Sequence, residues 1–422
     1  NQANMLPEEG TMDEQVLKLT ASADRRLVAC EVSSQRTVEW AISAAELPRH
    51  ANRAPLNIAL ILDRSGSMQG EKLRNVQHAA KYVLDLLDER DRVALVAYDD
   101  QVSLVARSTP VTAAQRDVLK RAVDALRPGG WTDLSGGWVT GCHEVAAYQS
   151  SAGVNRALLL TDGLANRGIT DVEELAHHAS ELRVRGVATS AFGVGLGFNE
   201  QLLAALAEQG GGHFYYIERA EQIAEVFRRE LGELLTVVVR EVFVTITVPR
   251  GVTVELLGDL PHERVGDRLR IFLGDLCAGE RRLLYTRVLT PPDASGASVA
   301  LAGTLCYADL DGRTATVEAT VAFSYAPEAD VLRLPLAEEL LRRASEIELA
   351  ASTVRALRLE RAGQPGQARA LLLQSLAAAA PYLAAPAAAQ YSALAEQMGD
   401  GMSEGQRKAT HFAAYQARQS RK

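Results

Sequence analysis

Ile58, Ala59, Leu60, Ile61 and Leu62 form an unbroken apolar run that stops at a charged residue, Asp63. Five consecutive apolar residues bounded by a polar turn read as a strand buried on both faces, the signature of a sheet covered by helices on each side. The next segment, 71–87, carries Leu73, Val76, Ala80, Val83, Leu84 and Leu87 at helical spacing. The couplet then repeats. Strands are expected at 93–98, 102–105, 157–161, 187–194 and 212–217. Helices are expected at 134–148, 171–185 and 220–235, another from Pro110 and the N-cap Thr112 to residue 126, and another from Asn199 to residue 209. Strand–helix alternation of this kind predicts a doubly wound, mainly parallel sheet, Rossmann-like in layout.

On both sides of this block the period falls to two. Leu17 and Leu19, then Val28, Cys30 and Val32, then Val38, Trp40 and Ile42 alternate with more polar neighbours. After residue 235, Val242, Val244, Ile246 and Val248 share one face, and strands follow at 252–256, 268–272, 281–289, 298–307 and 314–323 with turn residues between them. The economical reading is one antiparallel β-sandwich into which the α/β block is inserted. Past Pro327 the pattern turns helical at 335–359, with Pro335 in the first turn, and at 366–380, 388–398 and 404–421. The expected division is therefore 12–53 and 236–326 for the two parts of the sandwich, 54–235 for the α/β domain and 327–422 for a C-terminal helical region. Residues 1–11 are polar and expected to be loose, and 48–55 reads as a polar linker.

Charge narrows the function classes. Lys plus Arg number 45 against 53 Asp plus Glu, a net charge of −8, which argues against a general nucleic-acid binder with its basic face. No apolar run approaches the roughly 20 residues that cross a bilayer, and no charged-then-apolar leader opens the chain, although its first residue is Asn1 and not Met, which leaves its native start open. The four cysteines, Cys30, Cys142, Cys277 and Cys306, form no C-x-x-C pair. They read as free thiols of a reducing compartment, with a Cys277–Cys306 or Cys30–Cys306 bridge as the alternative, and the expected location is the cytoplasm.

Three polar segments sit at strand ends or in loops. Asp63-Arg64-Ser65-Gly66-Ser67-Met68 follows the first buried strand, Gly129-Gly130-Trp131-Thr132-Asp133-Leu134 precedes a helix, and Asp162-Gly163 ends the strand of Leu158, Leu159, Leu160 and Thr161. Ligands of open α/β sheets bind beyond the carboxyl ends of the strands, so Asp63, Ser65, Ser67, Thr132 and Asp162 are expected on one rim. Two carboxylates and three hydroxyls are an all-oxygen set without His or Cys. It suits a hard divalent cation and not zinc: Mg²⁺ first, with Mn²⁺ or Ca²⁺ as alternatives. Hydroxyls are neutral ligands, so the ion stays electron-poor and takes its last ligand from outside, an exposed Asp or Glu of a partner protein.

In this order, D-x-S-G-S, G-G-x-T-D and L-L-L-T-D-G resemble the metal-ion-dependent adhesion site of von Willebrand factor type A domains, over about residues 56–235. Phe192-Gly193-Val194-Gly195 and Gly210-Gly211-Gly212-His213-Phe214-Tyr215-Tyr216 agree with it. The resemblance implies that Ser65, Ser67 and Thr132 ligate the ion directly or nearly so, and that Asp63 and Asp162 do so directly or through water. Trp131 stands where many members of that family carry a small residue, and its bulk would line the rim. Insertion into a β-sandwich is similar to integrin β subunits, without their long specificity loop.

Other motifs read as structural. Asp99 and Asp133 are taken as solvated loop carboxylates, and His143 and His213 as ordinary surface or core histidines. Gly193-Val194-Gly195-Leu196-Gly197-Phe198 misses the third glycine of a dinucleotide loop, and no phosphate loop occurs. The expected function is a metal-dependent protein-interaction module with no enzymatic activity. The alternatives are an accessory subunit recruiting a AAA-type ATPase, as in the magnesium chelatases the domain resembles, and a metal-dependent hydrolase with Asp99 or Asp133 as base. The helix 220–235 enters the next strand without a flexible linker, which would let ligation shift the sandwich.

Overall fold

The structure, a computed structural model, describes residues 16–46 and 53–419. The segment 1–11, most of the expected 48–55 linker and the end of the expected helix 404–421 lie outside the described residues.

The chain opens on β1 (Leu17–Ala23), β2 (Leu27–Ala29) and β3 (Ser34–Ala44). β1 pairs with β3 directly, but β3 takes its second partner and β2 its partner from beyond the α/β block. β3 lies between β1 and β14 (Arg281–Thr290), and β2 pairs in parallel with β16 (Thr314–Ala326). The inner faces of the two sheets enclose one core, with Trp40 fully buried and its indole N–H donating to Thr286 Oγ1 at 3.1 Å.

Within that frame stand β4 (Leu56–Asp63), α1 (Glu71–Leu86), β5 (Arg92–Tyr98), β6 (Val102–Pro110), α2 (Ala113–Asp124), α3 (Leu134–Ala147), β7 (Val154–Thr161), α4 (Val172–Val184), β8 (Ala188–Val194), α5 (Glu200–Gln209), β9 (Gly211–Ile217) and α6 (Ile223–Leu234). Every residue of β4 and of β7 is buried, as their continuous apolar runs demand. The sheet order is β6-β5-β4-β7-β8-β9, parallel except for β6. One core fills the face covered by α1, α2 and α6, and a second fills the face covered by α3, α4 and α5. The strand order reverses direction between β4 and β7, so the crevice at a topological switch point opens between the strands that end in Asp63 and Thr161.

Two expectations shift here. β6 runs on to Pro110, which closes an edge strand and does not open the helix. An edge tolerates a residue without an N–H, and Thr112 alone caps α2 by accepting from Gln115 N at 3.2 Å. Pro335 precedes its helix, which begins at Glu338.

After α6 come β10 (Val237–Thr247), β11 (Thr253–Leu256), β12 (His262–Val265), β13 (Arg268–Cys277), β14, β15 (Ser298–Ala308) and β16. The strand β12 has no signal in the sequence: all four residues are exposed, so nothing alternates. The sandwich seats itself on the α/β domain through Arg156, which reaches Asp275 at 2.9 Å and Gly211 O at 3.1 Å, and through Arg240, which reaches Gly153 O at 2.9 Å. The C-terminal region holds the unforeseen short helix α7 (Glu328–Arg333), then α8 (Glu338–Arg361), α9 (Pro365–Ala379), α10 (Ala385–Asp400) and α11 (Glu404–Gln419). Leu340, Ala344 and Ile347 of α8 pack on the outer face of the sandwich. α11 returns to the α/β domain, where Lys408 is buried against Glu200 at 3.0 Å and over the Phe198 ring, and Arg418 meets Glu208 at 2.5 Å. None of the four cysteines forms a disulfide. Among the described residues, no helix is long and apolar enough to cross a membrane.

Candidate metal centre

The carboxyl end of β4 places Asp63 at the floor of the switch-point crevice, fully buried. Its Oδ1 accepts from Ser65 N at 2.8 Å and its Oδ2 from Thr161 Oγ1 at 2.6 Å. The chain then turns through Ser65, Gly66 and Ser67 into α1. Ser65 Oγ lies 3.1 Å from Ser67 Oγ, which donates to Asp162 Oδ1 at 2.6 Å. Asp63, Ser65, Ser67 and Asp162 are thus joined in one hydrogen-bonded chain linking residues almost a hundred positions apart. Asp162 is buried, and Ser67 faces outward.

Thr132 arrives on the α2–α3 connection, which is laced to the other loops by main-chain bonds. Gly66 N donates to Gly130 O at 2.9 Å and Gly129 N to Arg64 O at 2.7 Å. Asn166 clasps Thr132 from the third loop, its Oδ1 accepting from Thr132 N at 2.9 Å. A side chain at Gly129 would place its Cβ 1.6 Å from Asp99 Oδ2, so only glycine passes this point. At Gly163 a Cβ would stand 3.5 Å from Thr132 Oγ1 and 3.7 Å from Ser67 Oγ, which locates both hydroxyls around one small cradle. The structure therefore brings together all five residues singled out in the sequence.

The electrostatics of this cradle are unbalanced. Burial pushes the Asp63 carboxyl up to about 6, with the charge of Asp162 adding to it, against hydrogen bonds from Thr161 and Ser65 that pull it down. Among the described residues one cation pairs with these carboxylates: Lys72, in the first turn of α1, makes a short contact from its ammonium to Asp162 Oδ2. The sequence patterns do not single out Lys72, Asn166 or Thr161. The one available signal is position, since a first-turn residue of a helix that follows a strand-end loop projects back over that loop.

The two other carboxylates singled out near the rim in the sequence are engaged elsewhere. Asp99 is buried, not solvated, and pairs with Arg64 at 3.2 Å because the Gly129 segment folds over it. Asp133 caps α3, accepting from Gly136 N at 2.9 Å and Ser135 Oγ at 3.0 Å. Of the histidines, His143 is exposed. His213 has a larger part than expected: its Nδ1 lies 2.9 Å from Glu230 and 3.5 Å from Glu233. His213, Glu230 and Glu233 bring three ligand-type atoms within 4.8 Å. Tyr215 O–H and Ser190 O–H donate to the same Glu230 carboxylate, Tyr215 at 2.8 Å, so protein donors already fill it. Burial works to raise the Glu230 pKa, but the charge and hydrogen bond of His213 prevail and hold it at about 2. This cluster is a clamp between β9 and α6.

Residues 57–229 match the family described as von Willebrand factor type A domain. An uncharacterized protein of Synechocystis sp. is 29% identical over 273 residues, covering 62% of this chain and 63% of that one. The Escherichia coli protein YfbK is 30% identical over 190 residues, covering 44% of this chain and 32% of that one. The matches thus span less than two thirds of either relative. A solved structure, von Willebrand factor type A from Catenulispora acidiphila, has a TM-score of 0.72 at 17% identity and covers 96% of this chain and 98% of that one, so the likeness of fold extends to the sandwich and the C-terminal helices. The α/β block is a von Willebrand factor type A domain, flanked by antiparallel sheets and a C-terminal helical region.

Proposed function

We propose that the chain is a divalent-metal-dependent protein-interaction module, and not an enzyme, whose metal-ion-dependent adhesion site takes an acidic side chain of a partner protein. The observation that carries this reading is the convergence of two buried carboxylates and three hydroxyls on one cradle at the switch point. Ser65, Ser67 and Thr132 would hold the ion through neutral oxygens, and Asp63 and Asp162 would supply the charge, directly or through water. The donor set is hard and small, which favours Mg²⁺, with Mn²⁺ or Ca²⁺ next. When bound, the ion offers a partner carboxylate an electrophilic site.

Two further observations favour binding over hydrolysis. Asp99 is held by Arg64 and Asp133 by the start of α3, so neither is disposed to act as a general base beside the ion. The cytoplasm stays the proposed location, on the sparseness of cysteine in the sequence.

Calorimetric titration of Mg²⁺ and Mn²⁺ into the full chain tests the reading. We expect binding to wild type and loss of it in Asp63→Ala and in Asp162→Ala, with circular dichroism unchanged. Wild-type affinity in both variants would sink it.

A further inference from the structure

Exposed large apolar side chains are scattered singly over most of this surface, but three belong to the loops of the candidate centre. Trp131 precedes Thr132 and is 64% exposed, Leu164 follows Asp162 and Gly163 and is 57% exposed, and Leu196 is 53% exposed. The third is tied to the site by its neighbour: a Cβ on Gly197 would come 2.5 Å from Asp162 O and 3.9 Å from Gly163 Cα, so the β8–α5 loop lies directly on the Asp162 loop. Leu196 is flanked on its far side by the first turn of α11, where a Cβ on Gly405 would meet its Cδ2 at 3.8 Å. Three loops from three strand or helix ends therefore each place one bare apolar side chain next to the cradle.

Bare apolar groups beside buried carboxylates are disfavoured for a surface that only meets water, and an exposed indole is the residue type most enriched among interface anchors. The backbone beneath them is rigid. Gly130 accepts from Gly66 N at 2.9 Å, Thr132 is clasped by Asn166, and Gly197 packs on Asp162. Such side chains are held out in a fixed arrangement, so little freedom is lost when a partner covers them.

Resting on the metal-dependent reading above, we propose that Trp131, Leu164 and Leu196 form an apolar collar around the centre, and that the partner is a protein segment whose acidic side chain is flanked by apolar or aromatic side chains. The acidic residue follows from charge: a divalent ion beside Asp63, Asp162 and the ammonium of Lys72 leaves one positive charge for a carboxylate to neutralise. The flanking residues follow from the collar, which they cover. Closing it excludes water from the carboxylate–metal contact and strengthens that contact by lowering the local dielectric.

A displayed library of random linear peptides, panned on the immobilised full chain in Mg²⁺ and eluted with EDTA, tests the collar. The expected consensus is an Asp or Glu with Trp, Phe, Leu or Ile within two positions. A synthetic consensus peptide should bind Trp131→Ala roughly thirtyfold more weakly, and Leu164→Ser with Leu196→Ser several-fold more weakly. Mg²⁺ titration of the same variants should match wild type, since none of the three residues belongs to the oxygen set. Acidic peptides without apolar enrichment, or bound equally well by Trp131→Ala, overturn the collar and leave the metal reading standing. So does a selection that yields no chelator-released peptide while Mg²⁺ still titrates. If Mg²⁺ does not titrate into wild type, the metal reading falls and takes the collar with it. Displacement of the peptide by a second copy of the chain, with dimerisation in sedimentation, would also overturn it by assigning the collar to self-association.

Discussion

Two of the buried acidic sites in the α/β domain are built in opposite ways. At the carboxyl ends of β4 and β7, Asp63 and Asp162 are joined by hydroxyls and reached by one ammonium, Lys72, that is partly in solvent. Between β9 and α6, Glu230 is surrounded by His213, Tyr215 and Ser190, with Arg156 close enough to add its charge. Burial dominates at the first cluster, pushing Asp63 up to about 6. Compensation dominates at the second, holding Glu230 at about 2. A buried charge left short of compensation is a site that favours a ligand, whereas a fully compensated one is a structural fastening.

Stability variants break or sharpen this contrast most strongly. Glu230→Gln removes the anion from a completed network of buried donors and leaves Glu233 as the carboxylate beside His213, so it should cost about 3–5 kcal/mol and lower the melting temperature by roughly 10 °C. Asp63→Asn and Asp162→Asn should do the opposite in chelator, leaving the melting temperature unchanged or higher because an uncompensated charge is gone, while weakening Mg²⁺ binding by more than about a hundredfold. Thermal melts in EDTA and in Mg²⁺ decide the matter. Equal destabilisation by all three variants would mean that the centre is merely another fastening. The Glu230 network also opposes the helix shift expected from the sequence, because α6 cannot slide along β9 without breaking it.

Acid should act on the fastenings in two windows. Glu230 has a folded pKa below its ordinary 4.5, so its contribution is complete above about 4.5 and is lost as the pH falls toward about 2. His411, on α11, stacks edge-on against Phe214, and burial, with Arg418, Arg358, Arg361 and Lys408 adding to it, lowers its pKa from 6.5 to about 3. The unfolded chain therefore takes up that proton first, and stability falls below pH 6.5 by about 1.4 kcal/mol per pH unit until about pH 3. Urea melts at stepped pH should show the upper window vanish in His411→Gln and the lower one persist.

The smallest expected effect separates two roles for Lys72. If its ammonium competes with the ion for Asp162, Lys72→Met should tighten Mg²⁺ binding by up to about fivefold, the scale of a partly exposed ion pair. Weaker binding in that variant would instead make Lys72 the residue that aims Asp162.

One half of this contrast is legible in the sequence. Four of the five candidate donors are legible as neighbours because Asp63, Ser65 and Ser67 end or follow β4 and Asp162 follows β7, and strand ends of one parallel sheet share a rim; Thr132 lies on the α2–α3 connection, which no buried run marks. The β12 strand is illegible because an exposed edge has no apolar alternation, and Pro110 misleads because proline suits both the end of an edge strand and the start of a helix.

What the sequence determined alone was periodicity: continuous runs for β4 and β7, helical spacing for α1, and alternation for the sandwich, each imposed by the geometry of a few consecutive residues. What only the tertiary structure decided was pairing across distance. Asp99 is sealed under Gly129, Lys72 is brought to Asp162, Lys408 of α11 is buried beside Glu200, and His213 is locked to Glu230. Each of these joins residues that no local pattern relates. Whether a buried charge is compensated depends on what the whole fold carries to within a few ångströms of it, and that quantity is set by topology and not by spacing along the chain.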